Sequence, residues 1–586
     1  MSLADPSRSG PTHDGETRVA LPSEGPRRGT SPVDIDVLVV GAGITGIYQL
    51  FRAREAGFSV LLVEAGDGVG GTWFWNRYPG ARFDSESYSY GYLFSKELFH
   101  DWEWQEHFAG QPEIERYLNH VVDRFDLRRH MRFGARVESA VFDESEGLWS
   151  VRTGESELRA RFVVAATGVL SVPYFPDVPG RDEFRGESFH TGLWPTTPVD
   201  FAGKRVAVIG TGSSGVQIVP AIARDVASLT VYQRTANWCT PLNNAPITRD
   251  EQVRLRADFE SLRETLNTSI HGFHHPTCDR TAFADSEADR RAFFETMWRS
   301  AGFRKLTSNY TDLLFDPDAN AAWCDFLAEK IRGLVEDPAV AAKLIPTDHR
   351  FGEKRPPFVT GYFEAFNDPK VTLVDLNEMP IVRLTATGIE TAAGVRELDT
   401  IVWATGFDFG TGALLRMGIR GRGDLALADA WAEGPRTFLG VQTVGFPNLF
   451  FPGGPHAAAG NNPRYNGDQV DFVTDALVFA RDHGFDVVEP DPAAEERWTR
   501  MVDRGAAKSS FGESSYFFGS NVPGKPRKYL LNSGGRPKLF SVIAEVVRSG
   551  YAAFRLSRSA SLTSSGADAG ASERSASPTR PGEGAA

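Results

Sequence analysis

The sequence predicts an α/β protein with two separate strand–glycine turn–helix–strand units and a helical insertion. Three observations predict it. Val33–Glu64 opens with a β-branched run and continues through Gly41, Gly43 and Gly46. Lys204–Arg234 repeats the same device with Gly210, Gly212 and Gly215. From about Pro241 to Ile345 the pattern changes to charged, helix-prone stretches such as DEQVRLRADFESLRETL. The chain has 586 residues, 41% of them apolar, which is enough to bury several cores.

In the first unit, Val33–Val40 reads as a buried strand, the glycines form GxGxxG, and a helical stretch reaches Gly57. A second strand, Ser59–Val63, ends at Glu64. This order suits a dinucleotide. Glycines let the backbone approach a pyrophosphate, a helix N-terminus stabilises its charge, and the acid accepts ribose hydroxyls. The second unit differs where it matters for specificity: the position matching Glu64 holds Gln233, followed by Arg234 and Thr235. No carboxylate is left there to repel a 2′-phosphate, and a guanidinium able to grip one is present. The first unit therefore suits FAD or NAD, and the second NADP.

Two such Rossmann-like units imply electron traffic between a pyridine nucleotide and a flavin, whose rings must meet in one crevice. Ala166-Thr167-Gly168 after the strand Arg161–Ala165, and Ala404-Thr405-Gly406 within Asp399–Asp408, read as return crossings between nucleotide-binding halves. The expected organisation is a disordered tail over 1–31, an FAD domain in two parts (32–175 and 399–556), and a linker over 176–203. An NADP domain over 204–240 and 346–398 is interrupted by the insertion at 241–345, and a second disordered tail covers 557–586.

Composition excludes several classes. A net charge of −13 argues against nucleic acid as a partner. Cys239, Cys278 and Cys324 have no metal-ligand or redox-pair spacing, so a reduced cytoplasm is expected. No apolar run reaches the roughly 18 residues of a membrane helix, and no signal-peptide order is present at the N-terminus. His271–His275 (HGFHH) has no acid or cysteine at metal-binding spacing; solvent or core histidines are expected, and no metal site.

Phe184, Gly186, His190, Trp194 and Pro195 form FxGxxxHxxxWP directly before the second unit. This resembles the signature of type I Baeyer–Villiger monooxygenases. Further resemblance lies in Gly70–Tyr90, Phe351–Pro356 (FGEKRP), the ATGFD strand, Trp431–Gly440 and Asn521–Arg527 (NVPGKPR), so that it spans about residues 34–550. It implies FAD, NADPH, O2 and a ketone substrate that leaves as an ester or lactone. It further implies that Glu64, Thr72, Trp73, Phe74, Trp75, Asp84 and Tyr90 contact FAD. Gly212, Ser213, Ser214, Gly215, Val216, Gln217, Arg234, Thr235 and Lys354 would hold NADPH, and Tyr516 would lie near the nicotinamide. Arg355 would be the catalytic arginine over the flavin, paired with Asp84, and His190 a hinge residue.

The chemistry explains why an arginine is needed. The implied flavin C4a-peroxide must stay deprotonated to attack a carbonyl, so the site requires a fixed cation that is not an acid. The same cation would stabilise the oxyanion of the adduct. A second role for Arg355, as a phosphate ligand beside Lys354, stays open. Two departures from the family pattern stand out: Tyr516 replaces a tryptophan, and PGGPHAAAGNN follows Asn448–Phe451 in place of an Asn-Gly-Pro continuation. With the long N-terminal extension, these resemble the monooxygenases of the pentalenolactone antibiotic pathway, which implies a polycyclic terpenoid ketone, 1-deoxy-11-oxopentalenic acid, as candidate substrate. The rival readings are an N- or S-oxidising flavin monooxygenase, a flavin disulfide reductase, for which the cysteines are wrong, and a flavin-binding subunit without turnover.

Overall fold

The computed structural model describes residues 35–457 and 460–559. The tail expected over 1–31 lies outside the described residues, as does 560–586. The first unit is β1 (Ile35–Val40), α1 (Ile44–Glu55) and β2 (Val60–Val63). Val37, Leu38 and Val39 are fully buried, as a continuous β-branched run must be when both faces of a parallel sheet are covered. β1 pairs in parallel with β2 on one side and with β3 (Ser156–Ala165) on the other.

The second unit is β5 (Arg205–Ile209), α2 (Ser213–Ile222) and β6 (Ser228–Gln233). Its five-stranded sheet runs β7 (Val371–Asp375), β6, β5, β8 (Thr400–Trp403) and β4 (Glu187–His190), all parallel. Three expected boundaries are corrected here. β8 was assigned to the second FAD part beginning at 399, yet it pairs with β5 through Trp403 and Ile209. β4 was assigned to a linker over 176–203, yet it is the edge strand beside β8, with Trp403 opposite His190. The tail expected from 557 loses its first residue, because Ser557 ends the strand Phe554–Ser557, which pairs antiparallel with Val487–Pro490.

The insertion is helical, as its pattern predicts, with helices Arg249–Ala257, Phe259–Thr268, Glu287–Arg299, Pro317–Leu334 and Pro338–Leu344. Side chains of Thr248, Ser286, Asp316 and Asp337 accept backbone N–H groups at four of their starts, satisfying donors with no partner inside the helix. Its entry and exit are tied together by the short parallel pair Thr240–Pro241 and Phe358–Val359. α3 (Asn462–Asp482) then packs on α1, where the Tyr48 hydroxyl donates to Asp471 at 2.7 Å.

Candidate active site

Both glycine turns are built alike. Gly41 (φ +109°) and Gly210 (φ +110°) sit in backbone conformations that side chains rarely adopt. A methyl on Gly41 would fall 2.6 Å from the Ala166 carbonyl oxygen, and one on Gly210 would fall 2.4 Å from that of Ala404. The two Ala-Thr-Gly crossings are thus the walls against which the turns close. α1 and α2 begin after Gly43 and Gly212 without a side-chain cap and without an acid in the first turn. Their leading N–H groups are left for an anion, and the space beside Gly212 is open. Gly46 and Gly215 let each helix pack on its own turn: a methyl there would overlap the carbonyl oxygen of Gly41 or Gly210.

Glu64 is buried at the first turn and its two carboxylate oxygens accept the N–H groups of Ala42 (2.7 Å) and Gly66 (2.8 Å). The acid therefore holds the turn closed and faces it at the end of β2. Gln233, its counterpart, is buried and donates to the Lys343 carbonyl, a purely packing role. Arg234 is exposed and has no carboxylate partner among the described residues; Thr235 beside it accepts from the Thr211 hydroxyl through its carbonyl.

The two units meet at Arg355. Its guanidinium donates to Asp84 Oδ2 at 2.5 Å and to Ser213 Oγ at 2.9 Å, so one side chain bridges a loop of the first fold and the glycine turn of the second. Phe303, from the insertion, lies under the guanidinium with its ring centre 5.4 Å from Cζ. Burial works against the arginine's charge, but Asp84, Tyr516 and Tyr78 hold its pKa above the ordinary value. Burial also pushes the Asp84 carboxyl upward, against the pull of Arg355 and Arg82. The pair nonetheless sits as an ion pair, with Arg355 permanently cationic. Asp84 Oδ1 is buried and has no hydrogen-bond partner among the described residues, a polar atom left unsatisfied by the protein.

Around this pair the expected residues fall into three groups. Ser214, Gln217 and Tyr516 converge with Tyr78: the Tyr78 hydroxyl donates to Gln217 Oε1 at 2.7 Å, and Tyr516 lies within electrostatic reach of Arg355 and Asp84. Trp73 and Tyr90 form an aromatic layer beside Asp84, with Trp73 Nε1 donating to the Tyr90 hydroxyl at 2.9 Å and Tyr90 stacked on Phe83. Burial pushes the Tyr90 hydroxyl up to about 12, so it stays neutral. Phe74 packs against Gly66, Gly68 and Gly70, Val216 is core, and Thr72 is exposed. The Lys354 ammonium, next to Arg355 in the chain, pairs with Asp348 at 3.1 Å.

The fingerprint segment stitches the folds together. Trp194 N donates to the Trp75 carbonyl, and the Trp194 ring packs on Tyr78. His190 is buried between Phe175 and Phe407, and burial lowers its pKa to about 4, so the imidazole is neutral and structural. Asn521 and Lys525 of NVPGKPR anchor to Phe407, Asp408 and Phe409, which places Tyr516 over the site. Tyr78, Phe303 and the seam at Gly80 were not legible as site residues. Phe303 lies in the insertion, where only its distance from Arg355 in the folded chain marks it.

Two dinucleotide turns joined across a part-buried arginine–aspartate pair mark a two-nucleotide oxidoreductase. The family model described as pyridine nucleotide-disulphide oxidoreductase matches residues 38–272. All three cysteines are free, however. The chain is 44% identical over 543 residues to 2-oxo-Δ3-4,5,5-trimethylcyclopentenylacetyl-CoA monooxygenase of Pseudomonas putida, covering 90% of this chain and 99% of that one. It is 40% identical to cyclopentanone 1,2-monooxygenase of Comamonas sp., with 89% and 96% covered. It is likewise 40% identical to phenazine N-monooxygenase PhzNO1 of Lysobacter antibioticus, with 89% and 97% covered. The crystal structure of OTEMO with FAD and NADP superposes with a TM-score of 0.87 at 43% identity, covering 90% of this chain and all of that one. The chain belongs to the type I Baeyer–Villiger monooxygenase family.

Proposed function

We propose that the protein is an FAD- and NADPH-dependent enzyme that uses O2 to convert a ketone into an ester or lactone. The single observation that carries this reading is Arg355, shared between Asp84 of the first fold and Ser213 at the turn of the second. FAD, once reduced by NADPH, supplies the oxygen-activating chemistry. The chain's residues do the rest. Glu64 and the first turn hold one dinucleotide. Gly212–Gln217, Arg234 and Thr235 hold the other, with Arg234 on the 2′-phosphate. Arg355 presents a positive charge that gives up no proton near neutral pH and stabilises negative charge developing on substrate oxygen. Asp84 orients that charge, and Trp73, Tyr90, Phe303 and Tyr516 keep water from the reacting atoms.

The substrate we propose is a polycyclic terpenoid ketone, with 1-deoxy-11-oxopentalenic acid of pentalenolactone antibiotic biosynthesis as the candidate. Support comes from the sequence alone: Tyr516 in place of a tryptophan, and the PGGPHAAAGNN segment at 452–462, of which residues 458 and 459 lie outside the described residues. The cytoplasm, which supplies NADPH, is the proposed place of action. No helix among the described residues is long and apolar enough to cross a membrane. N-oxidation is the second reading, favoured by the phenazine N-monooxygenase relative. Aerobic incubation of FAD-loaded protein and NADPH with cyclic and polycyclic ketones, a phenazine and a thioether, followed by mass spectrometry, decides between them. Gain of one oxygen by a ketone supports the first reading; oxygen gain by the heteroatom substrates alone overturns it.

A further inference from the structure

His275, read from sequence as a solvent or core histidine, is one member of a buried polar chain. Its Nε2 lies 2.6 Å from Glu86 Oε1 and its Nδ1 lies 2.6 Å from Thr307 Oγ1. The His275 and Glu86 side chains are 2% and 5% exposed. The same Thr307 hydroxyl lies 3.1 Å from the Phe303 carbonyl oxygen, so its single proton is shared between that carbonyl and the His275 contact. The His275 ring is parallel to Phe273 at 5.1 Å, and Phe273 packs on Phe303, the ring beneath Arg355. Glu86 stands two residues after Asp84. Its backbone carbonyl accepts from Ser89 and Tyr90, starting the helical turn that carries Tyr90. Gly302 closes the same contact from the insertion: a methyl there would fall 2.9 Å from the Asp84 carbonyl oxygen.

We propose that Glu86, His275 and Thr307 form a clamp that ties the Asp84–Tyr90 segment to the helical insertion and so positions Asp84 and Phe303 around Arg355. The proposal rests on the reading of Arg355 given above and names what holds it. The clamp acts through other residues: none of its members faces the guanidinium. A carboxylate and an imidazole removed from water are stable only while each satisfies the other, so the pair resists slippage between loop and insertion. The constraint reaches Phe303 by two routes: the Thr307 hydroxyl, which joins the backbone N–H groups of Leu306 and Thr307 on the Phe303 carbonyl, and the Phe273 ring between His275 and Phe303.

The test compares Thr307→Val, which removes the hydroxyl at constant shape, with Thr307→Ser, which keeps it, alongside His275→Phe, which preserves the stack on Phe273. Two measurements are made. Hydrogen exchange across residues 84–91 is followed without NADPH or ketone, and lactone formed per NADPH consumed is followed on the FAD-loaded enzyme with a neutral cyclic ketone. Thr307→Val and His275→Phe are expected to speed exchange across 84–91 and to lower the lactone-to-NADPH ratio roughly tenfold, with ketone KM within about twofold. Thr307→Ser stays near wild type. Unchanged exchange in Thr307→Val, or equal damage in Thr307→Ser, overturns the clamp. If His275→Phe does not fold, Glu86→Gln replaces it with the same expectations. A wild-type enzyme that makes lactone from no ketone refutes the active-site reading instead, and the exchange measurement still decides the clamp.

Discussion

Replacing Arg355 separates the charge of the site from its geometry. In Arg355→Lys the charge survives, but a single ammonium nitrogen lacks the planar fork whose two nitrogens reach Asp84 at 2.5 Å and Ser213 at 2.9 Å. One charge-assisted bond is lost, about 1.5–3 kcal/mol, which is roughly ten- to a hundredfold in the oxygenation step. In Arg355→Ala the cation itself is gone, and removal of one preorganised donor costs roughly 10²–10³ in rate. Stability falls too, because Asp84, 4% exposed in the intact pair, loses its partner. The arginine side chain is 27% exposed, so the loss lies between the surface and buried limits for an ion pair, at about 2 kcal/mol. The assay follows NADPH consumption, hydrogen peroxide and lactone together, at pH 7.5 to 9. NADPH is expected to be consumed in both variants while oxygen is diverted from lactone to peroxide, almost wholly in Arg355→Ala. Lactone within threefold of wild type in Arg355→Ala would refute the assignment of the cation.

Arg234→Ala removes an exposed guanidinium with no carboxylate partner among the described residues; KM for NADPH is expected to rise roughly tenfold or more, while KM for NADH moves little, measured by initial rates. Gly80→Ala forces a side chain onto a φ of +83° and sets its methyl 2.5 Å from the Gln217 carbonyl oxygen, at the seam between the folds. A loss on the order of 1–3 kcal/mol is expected, seen as a lower unfolding midpoint. His190 carries a pH dependence. Burial depresses its pKa to about 4 from 6.5, so the unfolded chain takes up the proton first as pH falls. Its contribution is complete above about pH 6.5 and is lost toward pH 4, on the order of 3 kcal/mol. His190→Asn should flatten that part of the stability profile, leaving the similar slope from His456, also depressed to about 4.

The nucleotide turns were legible because their causes are local: a glycine required by a positive φ, a helix start without a cap, and a β-branched run buried on both faces. Sheet membership was not. β8 was recognised as a strand but given to the wrong sheet, since its register against β5 is a long-range choice that its own residues do not encode. β4 was missed because an edge strand that is mostly exposed shows no alternation to read. The acid partner of His275 escaped for the same reason: Glu86 lies 189 residues away in the chain, and spacing rules see only near neighbours.

That distance also says something about how the site comes into being. Arg355 is 271 residues from Asp84 and 142 from Ser213, and the ring beneath it comes from a third segment, the insertion. None of these segments can position the guanidinium alone. Alone, the Asp84 loop would bury an unpaired carboxylate, and the Ser213 turn would offer only a hydroxyl. The cation is therefore set in place only when both nucleotide folds and the insertion are docked. The same reasoning locates the sensitive positions away from the chemistry, at the Gly80 seam, at Trp194 against Trp75, and along the Glu86–His275–Thr307 chain. There a small shift changes where the charge sits without changing what it is.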